Sequence, residues 1–260
     1  MTILDDIVKN TKAKLIEKKA AVSLDDIKLQ LSTLDLPKGK FKASFAGKAE
    51  AIIAEIKKAS PSAGIISENF DPIQKAQEYE AFGAVALSIL TEEDFFLGSN
   101  QYLKDVKAIT SLPILRKDFM VDEYQIYEAK LIGADCILLI ASILSDIEIT
   151  NFVALAEVLE LDYLIEVHDA EELQRVEHFK NALIGVNNRN LKTFEVDINN
   201  SVNLKNSFSG DNIFIAESGI KNKDDMNYLK EKGMSVFLIG ESLMDGSFID
   251  TIKSNAIRRD

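Results

Sequence analysis

The feature that most constrains this chain is a beat of eight short apolar runs beginning at residue 51. They are AIIAEI (51–56), AVALSIL (84–90), PILRKDF (113–119), DCILLIA (135–141), DYLIEVH (162–168), ALIGVN (182–187), NIFIAES (212–218) and SVFLIG (235–240). Amphipathic helical stretches separate them, and their starts lie roughly 20–33 residues apart. Strands that are apolar almost throughout need cover on both faces, which is the mark of a parallel sheet crossed over by helices. Gly83, Gly133 and Gly233 stand just before three of the runs, where glycine commonly ends a helix. Eight such units in about 210 residues predict an α/β fold, a closed (β/α)8 TIM barrel. The rival is a doubly wound open sheet, which usually has fewer strands and a glycine fingerprint after the first. AEIKKASPSAG contains neither GxGxxG nor a P-loop.

Residues 1–48 have a different pattern. Ile3, Leu4, Ile7, Val8 and Leu15 follow helical spacing. Thr2 with Asp5 and Ser23 with Asp26 resemble capping boxes that open two helices. LPKGKFKASFAGK, at 36–48, reads as a loop with basic flanks. The expectation is one barrel domain over 1–260, of which 1–48 is an N-terminal helical extension.

Composition removes several function classes. The net charge of -12 argues against nucleic acid or an anionic membrane as the main partner. No apolar run approaches membrane-spanning length. The N-terminus MTILDDIVKN carries acids where a signal peptide carries bases, so a cytoplasmic location is expected. Cys136 is the single cysteine, which rules out an internal disulfide and fits core packing. No His, Asp and Glu set has metal-ligand spacing, so no metal is expected.

Polar residues break the apolar pattern where several of the strands should end. Side chains alternate along a strand. Ile53, Glu55 and Lys57 therefore share a face, as do Leu115 and Lys117, Leu164 and Glu166, Leu183, Gly185 and Asn187, and Ile213, Ile215 and Glu217. One charge at a strand end is ordinarily a solvated terminus. Five strand ends together are harder to read that way, because in a barrel they converge on the mouth where this fold places active sites. Buried charges are expensive unless paired. Two ammonium groups among three carboxylates can pair, couple their titrations and serve acid–base chemistry.

A second cluster suits an anion. The seventh run ends in ESGI (217–220) and the eighth in IGESLM (239–244). Gly219 and Gly240 let backbone N–H groups approach a phosphate at helix starts, on the two strands where barrels often hold one. Ser60 in the loop after the first strand adds a hydroxyl. Phe95 and Phe96, adjacent aromatics in a polar loop, are either helix packing or a lid over an aromatic ligand. Arg189 either pairs with a carboxylate or lies on the surface. His168 reads as part of the next helix cap rather than a metal ligand, and His178 as an exposed helical residue.

AEIKKASPSAG, ILTEEDFFLGS, ILRKDFMVDEYQI, LIEVHD, IGVNNRNL, AESGI and FLIGESLM, taken in order, resemble the successive motifs of the indole-3-glycerol phosphate synthase family. The matches span about 50–244, one at nearly every strand end, and the N-terminal helices resemble that family's extension. Two positions depart: Ala63, where the family often has a basic residue, and Glu241, where some members have a small hydroxyl residue. The resemblance implies ring closure, decarboxylation and dehydration of 1-(2-carboxyphenylamino)-1-deoxyribulose 5-phosphate, with no cofactor. It implies that Lys117 protonates the ketone, and that Lys57 and Glu166 act in the later proton transfers. Glu55 would orient a lysine, and Asn187 would hold a substrate hydroxyl or carboxylate. Phe96, Phe119, Leu138 and Leu191 match ring contacts. Ser60, Ser218, Gly219, Gly240 and Glu241 match a phosphate cradle, and Glu217 and Arg189 join the substrate-binding set. A small phosphorylated molecule is the expected partner. A monomer is expected, with association with other enzymes of the pathway left open. The alternatives are another phosphosugar barrel, a Schiff-base aldolase on Lys117 or the neighbouring isomerase, and a non-catalytic phosphoribosyl sensor.

Overall fold

A computed structural model describes residues 2–250 apart from Lys192; Met1 and 251–260, the ends of the expected domain, lie outside the described residues. Eight parallel strands close into a barrel: β1 (Ala51–Ile56), β2 (Ala86–Leu90), β3 (Ile114–Lys117), β4 (Cys136–Ile140), β5 (Asp162–Val167), β6 (Leu183–Asn187), β7 (Phe214–Glu217) and β8 (Val236–Ile239). β8 returns to β1 in the register Ala51↔Val236 to Ala54↔Ile239, which closes the ring. A (β/α)8 barrel is thus the observed fold, and each apolar run holds one strand. Most strands are a residue or two shorter than their runs.

Alternation along the strands feeds two cores. Ile53, Leu115, Cys136, Leu138, Leu164, Leu183 and Ile215 point inward and pack together. Ile52, Ala54, Leu87, Ile114, Ile137, Ile165, Val186 and Phe237 point outward, under the helices. Those helices include α3 (Pro72–Phe82), α4 (Asn100–Lys107), α5 (Glu123–Leu131), α6 (Asp146–Val158) and α7 (Ala170–Val176). α8 (Asn199–Ser207), α9 (Lys223–Glu231) and the single turn α10 (Glu241–Met244) complete the set. Gly83, Gly133 and Gly233 all adopt positive φ where a helix stops.

Two further helices precede the barrel, α1 (Ile3–Ala21) and α2 (Leu24–Ser32), and both carry the expected capping boxes. α1 crosses the mouth: Lys14 Nζ sits 2.9 Å from Glu93 and 2.7 Å from Asp94, and Lys19 lies 2.7 Å from Asp122. The 36–48 segment is more than the loop expected from its Lys and Gly content. It forms a 3-10 turn at Lys42–Phe45. Phe41 and Phe45 are buried in the inner core with their rings edge to face at 5.3 Å. They fill the barrel's floor. Two aromatics four residues apart give too short a pattern for sequence periodicity to announce it.

Candidate active site

The strand ends and their loops surround one cavity of about 560 Å³. The sixteen residues assigned from the sequence to catalysis or substrate binding all line it. Lys117, Glu166 and Glu217 form its charged centre. Lys117 and Glu217 end β3 and β7 and Glu166 is the last residue but one of β5, and the barrel's closure alone brings them together. Lys117 Nζ donates to Glu166 Oε2 at 2.9 Å and to Glu217 Oε2 at 2.7 Å. A second pair stands beside it: Lys57 Nζ donates to Glu55 Oε1 at 2.6 Å, and Ser88 Oγ reaches Glu55 Oε2 at 3.5 Å. The ring of charges is therefore two groups. Glu55 is placed to orient Lys57, and Lys117 takes its partners from across the barrel.

The two carboxylates on Lys117 are not equivalent. Glu166 also accepts from Asn187 Nδ2 at 3.1 Å and lies 3.4 Å from His168 Nε2. Glu217 has the ammonium alone, and its Oε1 is a buried oxygen without a hydrogen-bond partner. Burial raises both carboxyls. For Glu217 burial wins, helped by the neighbouring Glu166 charge, and its pKa is pushed up to about 7. For Glu166 burial is overcome by Lys117, His168 and Asn187, which hold it well below the ordinary range. Lys117 is buried too, but the carboxylates around it raise its pKa and hold its proton. His168 follows the capping expectation in part, since its N–H and Nδ1 meet Glu172 Oε2 at 2.8 and 3.1 Å. Burial would lower its pKa, yet Glu172 and Glu166 raise it. Asn187 Oδ1 accepts from the Arg189 N–H at 3.0 Å, so its amide is already engaged on both sides.

Two glycines make this charge cluster possible. A Cβ on Gly185 would overlap the Glu217 carboxylate and come within 2.7 Å of Leu164 Cδ2. A Cβ on Gly240 would overlap Glu55 Oε1 and stand 3.2 Å from Lys57 Nζ. Gly240 thus makes room for the second ion pair as well as lining the anion end of the cavity. The Gly185 role was not read from the sequence, although a glycine between Leu183 and Asn187 on an inward face is the signal that carries it.

One wall is apolar. The rings of Phe96 and Phe119 lie 5.9 Å apart and tilted by 39°. Leu138 and Leu191 line the same space, and Ile3, Leu4 and Ile7 of α1 join them. The α1 contribution was missed, because a helical stripe says that a helix packs but not on what. Glu92 was also missed. Its buried carboxylate accepts the backbone N–H groups of Asp94, Phe95 and Phe96 at 3.1, 2.7 and 3.0 Å, which shapes the loop that presents Phe96. Burial raises its pKa against those bonds.

The opposite end holds the Ser218–Gly219 and Gly240–Glu241 turns. Ser218 and Gly219 adopt φ of 65° and 84°, a curled backbone of the kind that forms anion nests. Ser242 Oγ donates to the Ile220 carbonyl at 2.8 Å and ties the two turns together. Ser60, in the loop after β1, lines the same cavity, with its Oγ accepting from Ala63 N–H at 3.2 Å. Arg189 Nη2 lies 3.7 Å from Glu241 Oε2 at the rim. Among the described residues no group of His, Cys, Asp and Glu is arranged to hold a metal ion, and no helix is long and apolar enough to cross a membrane.

The family profile described as indole-3-glycerol phosphate synthase matches residues 4–254. A relative of that name from Clostridium acetobutylicum is 49% identical over 251 residues, covering 96% of this chain and 95% of its own. One from Ruminiclostridium cellulolyticum is 49% identical over 93% of this chain and 94% of its own, and one from Polaromonas sp. is 43% identical over 93% of each. Among solved structures, the N-acetylmannosamine-6-phosphate 2-epimerase of Clostridium perfringens superposes with a TM-score of 0.59 at 14% identity, over 82% of this chain and 96% of that one. A chain of the Pyrococcus furiosus tryptophan synthase complex gives 0.54 at 14% identity, over 76% and 88%. At that identity the two structures speak for the fold alone. The near-complete profile match and the relatives at 43–49% identity settle the descent: this chain belongs to the indole-3-glycerol phosphate synthase family, enzymes of tryptophan biosynthesis.

Proposed function

We propose that the chain is a decarboxylating carbon–carbon lyase that converts 1-(2-carboxyphenylamino)-1-deoxyribulose 5-phosphate to indole-3-glycerol phosphate, CO2 and water. The observation that carries this reading is the Lys117 ammonium held between Glu166 and Glu217 at the centre of a cavity with an aromatic wall at one end and curled glycine turns at the other. A substrate with an aromatic acid, a central ketone and a terminal phosphate has its three parts in that order.

Lys117 donates its proton to the ketone oxygen as the ring carbon bearing the carboxylate attacks the ketone carbon. One carbon–carbon bond forms and the oxygen becomes a hydroxyl. The carboxylate then leaves as CO2, and its electron pair restores the aromatic ring. The hydroxyl departs as water with a proton from Lys57. Glu166 accepts a proton from the neighbouring methylene carbon, which completes the indole. Glu55 orients Lys57, and Asn187 holds Glu166 in place besides reaching the substrate. Glu217 and Arg189 bind substrate at the centre and the rim. Phe96, Phe119, Leu138 and Leu191 hold the ring. Ser60, Ser218 and Gly219, with the backbone N–H groups of Gly240 and Glu241, hold the phosphate. No step needs a metal or cofactor. The contact of α1 with the same cavity supports treating extension and barrel as one domain.

A Schiff-base aldolase on Lys117 is disfavoured, because a nucleophilic lysine must be deprotonated and Lys117 Nζ is engaged as a donor to two carboxylates, Glu166 at 2.9 Å and Glu217 at 2.7 Å. The test is the appearance of indole fluorescence when purified protein meets the substrate. Placed proton donors typically contribute about 10²–10⁴-fold, so Lys117→Ala should lose at least that much in kcat. A well-folded parent protein without turnover would end this reading.

A further inference from the structure

Arg116 is the residue before Lys117 and points to the opposite face of β3. It is 1% exposed, with the largest fully buried side chain among the described residues. All of its hydrogen-bonding runs sideways. Nε donates to Thr91 Oγ1 at 3.1 Å, Nη1 to the main-chain carbonyl of Gln125 at 2.9 Å, and Nη2 to Asp118 Oδ2 at 3.1 Å and Glu128 Oε2 at 2.6 Å. One guanidinium thus joins the end of β2, the end of β3 and helix α5.

The partners pass that hold to the cavity wall. Asp118 Oδ2 accepts from Thr91 Oγ1 at 2.6 Å, and its Oδ1 accepts the Phe119 N–H at 2.8 Å. Gln125 Nε2 donates to the Phe119 carbonyl at 2.9 Å, and its Oε1 accepts the Val121 N–H at 2.9 Å. Both backbone groups of Phe119 are therefore fixed by side chains of this outer network. The Thr91 N–H donates to the Lys117 carbonyl at 3.1 Å.

We infer that Arg116, acting through Asp118 and Gln125, is a positioning residue that sets the Phe119 ring against Phe96 and so fixes the fit of the substrate's aromatic half. Burying a guanidinium with two carboxylates is costly, and packed apolar residues often serve stability as well or better. Its place directly behind the residue that presents both Lys117 and the ring wall gives the charges a use that stability does not.

The inference rests on the proposed ring contact of Phe119, and the experiment separates the two. On the full chain, Phe119→Ala is the reference, Arg116→Lys keeps the charge but loses the fork, and Gln125→Met keeps volume while leaving no charge unpaired. Misplacement by about 1 Å can cost on the order of 100-fold. Arg116→Lys and Gln125→Met should therefore raise KM and weaken binding of 2-aminobenzoate roughly tenfold or more. Binding of inorganic phosphate and the pH profile of kcat should stay as in the parent. A cooperatively melting Gln125→Met variant that binds 2-aminobenzoate within about twofold of the parent overturns the inference, as does parallel loss of phosphate binding. If Phe119→Ala itself leaves 2-aminobenzoate binding intact, the ring contact is wrong and the inference goes with it. If Phe119→Ala weakens binding and Gln125→Met does not, only the inference falls.

Discussion

Arg116 and Lys117 are neighbours on one strand, and each anchors a cluster of buried charge. The two clusters differ in how completely they are satisfied. Outside the barrel, the Arg116 guanidinium meets two carboxylates, a hydroxyl and a main-chain carbonyl, and both Asp118 oxygens are bonded again, to Thr91 and to the Phe119 N–H. Inside, Lys117 is shared between Glu166 and Glu217, and one Glu217 oxygen is left without a hydrogen bond. A full network is rigid and holds its neighbours in place. A short-handed one has a carboxyl whose charge is unfavourable near neutral pH, which is the condition of a group able to take up or release a proton. Pleat alternation puts the first at the back of the strand and the second at its front.

The largest effects should come from exchanging the cations. Lys117→Met should lose at least about 10²–10⁴-fold in kcat/KM while the protein still melts cooperatively. Arg116→Met should do the reverse in emphasis. It leaves Asp118 and Glu128 buried without their cation, a loss of about 3–5 kcal/mol in urea denaturation. A stable Arg116→Met variant would erase the distinction between the clusters.

Gly185→Ala comes next. The new methyl group displaces the Glu217 carboxylate, and overpacking of this kind costs about 1–3 kcal/mol. Kinetics and melting together should show lower stability and reduced kcat.

Glu217→Gln sharpens the comparison through pH. The folded protein holds the Glu217 proton up to about pH 7, whereas an unfolded Glu releases it near 4.3. Between those values the native state binds more protons, so this group's contribution to stability falls as pH rises. The Tm of Glu217→Gln relative to the parent should therefore climb between about pH 4.3 and pH 7 and level off above that. A flat difference would show that Glu217 is ionised throughout.

The smallest effect belongs to α1. Lys14 bridges Glu93 and Asp94 on the surface, half-exposed. Lys14→Ala should cost no more than about 1 kcal/mol and fade with added salt.

Much of this was legible in the chain. The eight apolar runs carry the parallel sheet, since only a strand covered on both faces can be apolar at every position. The residues Glu55, Lys57, Lys117, Glu166 and Glu217, with the polar Asn187, stand out because charged and polar groups at inward positions are too costly to be accidental. The capping boxes of α1 and α2 are local and needed nothing beyond three residues of spacing. Harder to see were Phe41 and Phe45, hidden in a Lys- and Gly-rich stretch, and Glu92, whose bonds run to a loop no periodicity describes.

By itself, the sequence determined which residues are strand, which face inward, and which types of chemical group reach the mouth, because these follow from alternation and helix spacing along one chain. Only the tertiary structure decided the pairing: that Glu55 serves Lys57, that Lys117 belongs to Glu166 and Glu217, that Gly185 makes room for one of them, and that α1 closes the wall. Those partners lie up to a hundred residues apart. Their distances are set by closure of the barrel, and no local pattern in the chain encodes a distance across it.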